Sequence, residues 1–389
     1  MNNFLSKHIL GDRVIWGVVV FLSIISILAV YSSIGDLAFR YADGNTTVYL
    51  RRHITFILLG FIFMYAIHKV PYSIFFSLSQ IIIVLAVLLL IFTILLGVTR
   101  NDATRWLVIP GLDFSFQTSD IAKFGLIVYI ARILSLNQND QEKLDTSFKQ
   151  IMIATGIVCI LIFPSNFSTA FLLFVAALVL MYIGRISLKK IVGGIGILFA
   201  GLAVIVVISS FIPGFSRVET WKNRVSGFLQ DDENALSQPN MAKTAIATSG
   251  IFGKGPGNSE VKYMLPQANS DFIFAIIIEE WGSIVAILII AAYLVLLYRV
   301  GLIIRRTSRT FAAFLAVGIT ILMVFQAFMN MMVAVGIGPV TGQPLPLISM
   351  GGTSLLITFA SLGVVLSISR SLDKEKPLEP EVEEVTVIK

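Results

Sequence analysis

Soft metal ligands are nearly missing from this chain, whose 389 residues include one cysteine and three histidines. Cys159 lies inside an apolar run, so no intrachain disulfide can form and a reactive thiol is not expected. His8, His53 and His68 share no metal-ligand spacing, which removes a zinc site. Charge is scarce too. Asp, Glu, Lys and Arg make up 13% of the residues and 56% are hydrophobic, whereas a soluble domain carries roughly a quarter charged residues. With a mean hydropathy of +0.88, a water-soluble fold is ruled out. The GxxxxGK(S/T) spacing of a P-loop is missing. So is the internal repeat that marks many transporters, which weakens a carrier reading.

In their place the chain has apolar stretches of about twenty residues, each long enough to cross a hydrocarbon core of roughly 30 Å. Spans are expected near 14–33, 54–70, 74–98, 118–136, 149–164, 168–184, 188–211, 271–298, 310–337 and 346–369. The expected fold is an all-α integral membrane protein, a polytopic bundle of about ten transmembrane helices over residues 1–372. A long extracytoplasmic loop, 212–270, separates spans seven and eight, and 373–389 reads as a disordered cytoplasmic tail. A cleaved signal peptide is the alternative for the first span, but its apolar run exceeds the usual core of roughly 7–15 residues.

The formal charge of +6 sits in short clusters between the spans, which is a topology signal and not a nucleic-acid surface. Clusters such as Arg185, Lys189 and Lys190, or Arg299, Arg305, Arg306 and Arg309, fall on the side of the termini. The short loops opposite hold only Arg40, Arg51, Arg52, Arg100 and Arg105. Lys and Arg in short loops stay in the cytoplasm, so both termini are expected there.

Three stretches carry polar chemistry. The first is Gly253-Lys254-Gly255-Pro256-Gly257-Asn258-Ser259, whose amides beside Lys254 could cradle phosphate oxygens or simply form a turn. The second holds Asp271 at the mouth of the eighth span, suited to acid, base or cation-ligand work, or to capping a helix that starts at Phe272. Glu279 and Glu280 follow inside that span. Glu279 is the better placed to share a cleft with Asp271, and its bland alternative is an ion pair with a basic residue elsewhere. The third stretch, Pro339 to Ser354, is dense in helix breakers and reads as a re-entrant, cavity-lining segment that carries Thr341, Ser349, Thr353 and Ser354. Gln326 and Asn330, one span earlier, are further polar lining. Lys123 in the fourth span has Asp120 three residues away as a local partner. Arg105, beside the interfacial Trp106, is a candidate phosphate or pyrophosphate ligand.

In order and spacing, the GKGPGNS, LPQANSDFIFAIIIEEWG and PVTGQPLPLISMGGTS stretches resemble the SEDS family, the group of FtsW, RodA and SpoVE, over nearly all of residues 10–370. The GPGNS wording leans toward the FtsW branch. The resemblance implies a peptidoglycan glycosyltransferase of the bacterial cytoplasmic (inner) membrane that polymerises lipid II at the outer face and releases undecaprenyl pyrophosphate. It implies membrane lipid, a class B penicillin-binding protein and other division or elongation proteins as partners. Asp271 corresponds to the family's essential carboxylate, the general base on the acceptor 4-hydroxyl. Gln117, Arg105, Lys123, Arg224, Lys243, Lys254 and Glu279 are candidate substrate contacts, and a divalent cation, Mg or Mn, could be held by Asp271. Three places depart from the family: Thr104-Arg105-Trp106 has one arginine where two are common, Gln117-Thr118-Ser119-Asp120 replaces Gln-Pro-Ser-Glu, and Ser165-Asn166-Phe167-Ser168-Thr169 replaces Pro-Asp-Leu-Gly-Thr. The rival readings are a lipid II flippase and a non-catalytic division scaffold.

Overall fold

A computed structural model of the chain describes residues 10–374 except 36, 38, 40–44, 101–102, 110–113, 139, 210–225, 227–236 and 266–267. The expected tail beyond 374 and Arg224 therefore lie outside the described residues.

The helices are α1 Arg13–Ser33, α2 Thr46–Lys69, α3 Ser73–Leu96, α4 Thr118–Asn137, α5 Gln141–Ile162, α6 Phe167–Ile183, α7 Leu188–Ser209, α8 Gln238–Ser249, α9 Ile273–Arg306, α10 Thr310–Ala334 and α11 Thr353–Lys374. All but α8 sit where a span was expected. Among the described residues six of them, α1, α2, α3, α9, α10 and α11, are long and apolar enough to cross a membrane. Helix α4 is continuous, but its apolar run is interrupted by Asp120, Lys123 and Arg132. Helix α2 starts eight residues earlier than expected. It runs through Arg51, Arg52 and His53, with His53 buried and Arg52 over the Phe56 ring.

Local chemistry sets the ends. Asp12 caps α1 by accepting from the amides of Val14 and Ile15, at 2.9 and 3.3 Å. Asn166 caps α6 through the Thr169 amide at 3.2 Å. Helix α2 stops at Lys69 because Val70 precedes Pro71 and takes extended angles. Helix α10 closes through Gly336 at φ 76°, with Ile337 N reaching back to Met332 O at 2.9 Å, a Schellman turn.

One element was not expected. Between α3 and α4 the chain forms an antiparallel three-stranded sheet, β1 Val98–Arg100, β2 Ala103–Ile109 and β3 Phe114–Gln117, with β2 in the centre. The run Thr-Arg-Trp-Leu-Val-Ile is β-branched and aromatic, and too short to span a membrane as a helix. Pairing Trp106 with Gln117 fixes the register and brings Arg105 near the start of α4.

Helix α10 is the hub, packed against α4, α6, α9 and α11. Helices α2 and α11 cross closely at Gly60 and Gly363. A Cβ at Gly60 would overlap the Phe359 ring, and one at Gly363 would lie 2.8 Å from Met64 O. Small residues at crossings are how helices gain contact in lipid, where no hydrophobic drive between them remains.

Candidate active site

Helix α9 is broken at Gly282, whose φ of 76° and ψ of −178° leave the helix. The break strips the Glu279 and Glu280 carbonyls of their usual partners one turn on. The glycine-rich loop supplies replacements: Lys254 N donates to Glu279 O at 2.8 Å and Gly255 N to Glu280 O at 3.0 Å. Within a bilayer an unmade backbone bond costs several kcal/mol, so this splice is what permits the break. Gly253 and Gly282 touch backbone to backbone, and a Cβ on either would come within 2.6 Å of the other's nitrogen. Gly253 and Gly282 thus serve close approach of the loop to the helix.

The side chains follow the same plan. Glu279, fully buried, accepts from Lys254 Nζ at 2.9 Å, from Ser259 Oγ and from Glu260 N at 3.3 Å. Glu280 accepts from Ser32 Oγ of α1 and lies 4.0 Å from Lys262 Nζ. The hydrogen bond that Lys254 donates to Glu279 holds its ammonium above its usual pKa range. Lys254 and Glu279 were candidate substrate contacts; the structure ties them to each other.

Asp271 sits in a different knot. The cap position of α9 falls on Phe272, and Asp271 lies one residue before it. The half-buried carboxylate accepts from Ser270 Oγ at 3.0 Å. Its main chain is held by α10 and by the 339–352 segment. Asn330 Nδ2 donates to Asp271 O and to Gln343 O, both at 2.8 Å. Ser349 Oγ donates to Ser270 O at 2.7 Å, and Met350 N to Asn269 O at 3.0 Å. Gly342, at φ 64°, faces the carboxylate, and a Cβ there would lie 3.6 Å from Oδ2. The left-handed φ favours glycine there, and a Cβ would sit in van der Waals contact with the acid.

The segment 339–352 has no regular structure, and its polar groups are answered by the bundle. Gln326 Nε2 donates to Pro344 O at 2.9 Å, while Tyr293 OH donates to Pro346 O. Ser26 Oγ donates to Ile348 O at 2.6 Å and contacts His53 Nε2 at 2.8 Å. Gln343 Nε2 reaches Thr169 Oγ1 at 2.7 Å and Asn166 Oδ1 at 3.3 Å at the start of α6. This is the protein-satisfied irregular backbone that a membrane interior requires.

The remaining candidates attach at its edges. Lys123 pairs with Asp120 at 2.7 Å and donates to Gln326 Oε1 at 3.2 Å, beside a small cavity that Ser354 also lines. Gln117 N donates to Thr353 Oγ1 at 3.4 Å, joining the sheet to α11. Arg105 Nε donates to Ser165 O at 2.7 Å, next to the Asn166 that receives Gln343. The Lys243 stem crosses Gly336 at the C-terminal end of α10, and Thr341 is buried. Sequence reasoning left Gln343, Asn166 and Thr169 out of the site. Their signal was present but weak: polar residues next to Pro344 and within the segment that departs from the family pattern.

Asp271 lies at one end of α9, and Arg299, which pairs with Asp12 at 2.6 Å, at the other. From Ile273 to Arg299 the helix, even with its break at Gly282, is long and apolar enough to cross a membrane. The fold and site therefore define a multi-pass helical membrane protein with a half-buried carboxylate at the face opposite the described ends of the chain.

Comparison with known proteins narrows the class. Residues 12–374 match the model of the FtsW/RodA/SpoVE family, described as cell cycle protein. The chain is 32% identical over 376 residues to the probable peptidoglycan glycosyltransferase FtsW of Saccharophagus degradans, covering 92% of each. It is 30% identical over 366 residues to the protein of that name from Geobacter sp. strain M18, covering 92% of this chain and 96% of the relative. Among solved structures, a chain of a peptidoglycan synthase complex that coordinates polymerization and crosslinking superposes at TM-score 0.71 with 24% identity, covering 93% and 98% of the two chains. The Rod shape determining protein RodA of Thermus thermophilus superposes at 0.64 with 22% identity, covering 95% and 98%. The chain belongs to the FtsW/RodA/SpoVE family.

Proposed function

We propose that this chain is a peptidoglycan glycosyltransferase that polymerises lipid II into glycan strands at the outer face of the bacterial cytoplasmic membrane. Both termini lie in the cytoplasm, ten helices span the bilayer, and a class B penicillin-binding protein crosslinks the product. The observation that supports the reading is Asp271, a half-buried carboxylate at the face away from both described ends of the chain, whose main chain is pinned by Asn330 and by the 339–352 segment.

Asp271 takes the proton from the acceptor 4-hydroxyl as that oxygen attacks the donor sugar, and pyrophosphate leaves from the opposite side with inversion. Because the donor linkage is α and the strand is β, one base suffices, and the paired carboxylates of a hydrolase are not needed. Arg105 and Lys243, both linked to the segments around Asp271, neutralise the leaving pyrophosphate. The described residues contain no group of three or more His, Cys, Asp or Glu able to hold a metal. A divalent cation, Mg or Mn, would therefore rest on Asp271 and substrate oxygens, the mode magnesium favours, and would supply charge neutralisation there.

The test is polymerisation of lipid II by detergent-purified protein, wild type against Asp271→Asn, with and without the cognate penicillin-binding protein. Wild type should yield polymer and the variant none, at equal yield and gel-filtration profile. Polymer from a well-folded Asp271→Asn protein would overturn the assignment. Absence of polymer from wild type, together with lipid II transfer across sealed vesicles, would establish a flippase instead.

A further inference from the structure

The face that bears both described ends of the chain holds a polar cavity of about 360 Å³, within the range of ligand pockets, roughly 300–1,000 Å³. It lies between the start of α1, the end of α9 and the end of α11, and takes no part in the chemistry proposed for the other face. Gly11 draws these elements together: at φ 88° it places its Cα so that a Cβ would lie 2.9 Å from Leu366 O of α11.

The charged groups facing the cavity are Asp12 and Arg13 from α1, Arg299 and Arg306 from α9, and Asp373 from α11. Asp12 uses Oδ1 to cap α1 and Oδ2 to pair with Arg299 at 2.6 Å, so these two charges answer each other. Arg13 and Arg306 are exposed and have no hydrogen-bond or ion-pair partner among the described residues. Asp373, exposed on the third side, leaves the balance positive. Arginine in the last turn of α9 complements the helix dipole, but that role would not require a second unpaired guanidinium across a cavity from it.

The ligand class follows from the walls. Two guanidinium forks match phosphate oxygens in a bidentate way that scattered ammonium groups do not. Val14, Leu302 and Leu372 line the same cavity, and Val14 is 40% exposed, so apolar surface continues from it along α1. The cavity lies at the ends of α1 and α9, two helices long and apolar enough to cross a membrane, which is where a bilayer around such helices would present its phospholipid headgroups. We infer that it is a headgroup site for an anionic phospholipid, in which Arg13 of α1 and Arg306 of α9 bind the phosphate and Arg299, fixed by Asp12, completes the α9 wall.

The experiment titrates full-length protein in non-ionic detergent with phosphatidylglycerol, phosphatidylcholine or inorganic phosphate. Bound lipid is read by native mass spectrometry and the unfolding midpoint by fluorescence. Phosphatidylglycerol should bind and raise the midpoint, and phosphatidylcholine should not. Arg13→Gln with Arg306→Gln should weaken phosphatidylglycerol about thirtyfold and each single change about fivefold, while Arg305→Gln should leave it unchanged. The two arginines are exposed, so the variants' midpoints without lipid serve as the folding control. Equal binding of both lipids, or undiminished phosphatidylglycerol binding by the double variant, would overturn the site. An equal response to inorganic phosphate would overturn its assignment to lipid.

Discussion

Replacing Glu279 by Gln keeps the side chain's volume and removes its charge, which isolates what holds the glycine-rich loop against the broken helix. Glu279 is fully buried and accepts from Lys254 Nζ, Ser259 Oγ and Glu260 N. Hydrogen bonds to charged groups contribute about 1.5–3 kcal/mol each, and removing one partner of a buried pair costs about 3–5 kcal/mol. The amide retains an acceptor oxygen, and Lys254, 23% exposed, can turn toward Glu260 at 3.4 Å. The net loss should thus sit near the low end, about 2 kcal/mol. At roughly 2–4 °C per kcal/mol this lowers the unfolding midpoint by roughly 4–8 °C. Scanning fluorimetry in detergent reads the midpoint, and a lipid II polymerisation assay run well below it reads activity. Lys254→Gln should give a similar fall, and the double variant less than the sum. The folded Lys254 pKa lies above its unfolded value, so its contribution is full below the unfolded pKa and is lost only as pH rises through the folded one. The gap between wild type and Lys254→Gln should be flat from about pH 6 to about pH 9. A Glu279→Gln protein with an unchanged midpoint and abolished polymerisation would refute this reasoning and make Glu279 a functional residue.

Asn330→Ala leaves the carbonyls of Asp271 and Gln343 unanswered. It should cost about 1–3 kcal/mol per group and lower polymerisation more than substrate binding, read as kcat against KM. Gly60→Ala forces a methyl into the Phe359 ring; the expected loss is about 1–3 kcal/mol, and adding Phe359→Leu should restore part of the midpoint. Gly342→Val places a branched side chain beside the Asp271 carboxylate at a left-handed φ. It should abolish polymer formation with a smaller effect on the midpoint, measured on the same preparation.

Composition and spacing were enough to establish a membrane-embedded helical bundle, because a hydrocarbon solvent imposes one requirement on every span: about twenty apolar residues with all backbone bonds made internally. The same requirement made Pro339–Ser354 legible as irregular backbone needing outside partners, and the structure supplies them from Gln326, Tyr293 and Ser26. Asp271 was legible as an acid at a span's mouth. What it does there was not, since a helix cap and a cleft acid share one sequence pattern; the structure adds that the cap position itself falls on Phe272. The sheet at 98–117 was hidden because short β-branched runs look alike in strand and loop until they pair.

The role of the glycine-rich loop was decided by tertiary structure alone. Gly253, Lys254, Gly282 and Glu279 are up to 29 residues apart, and a one-dimensional reading cannot show that one segment's amides replace the missing rungs of another's helix. Hydrophobic solvation acts on each residue by itself and so is written along the chain. Hydrogen-bond satisfaction at a broken helix acts between partners, and the partners are known only once the chain has folded.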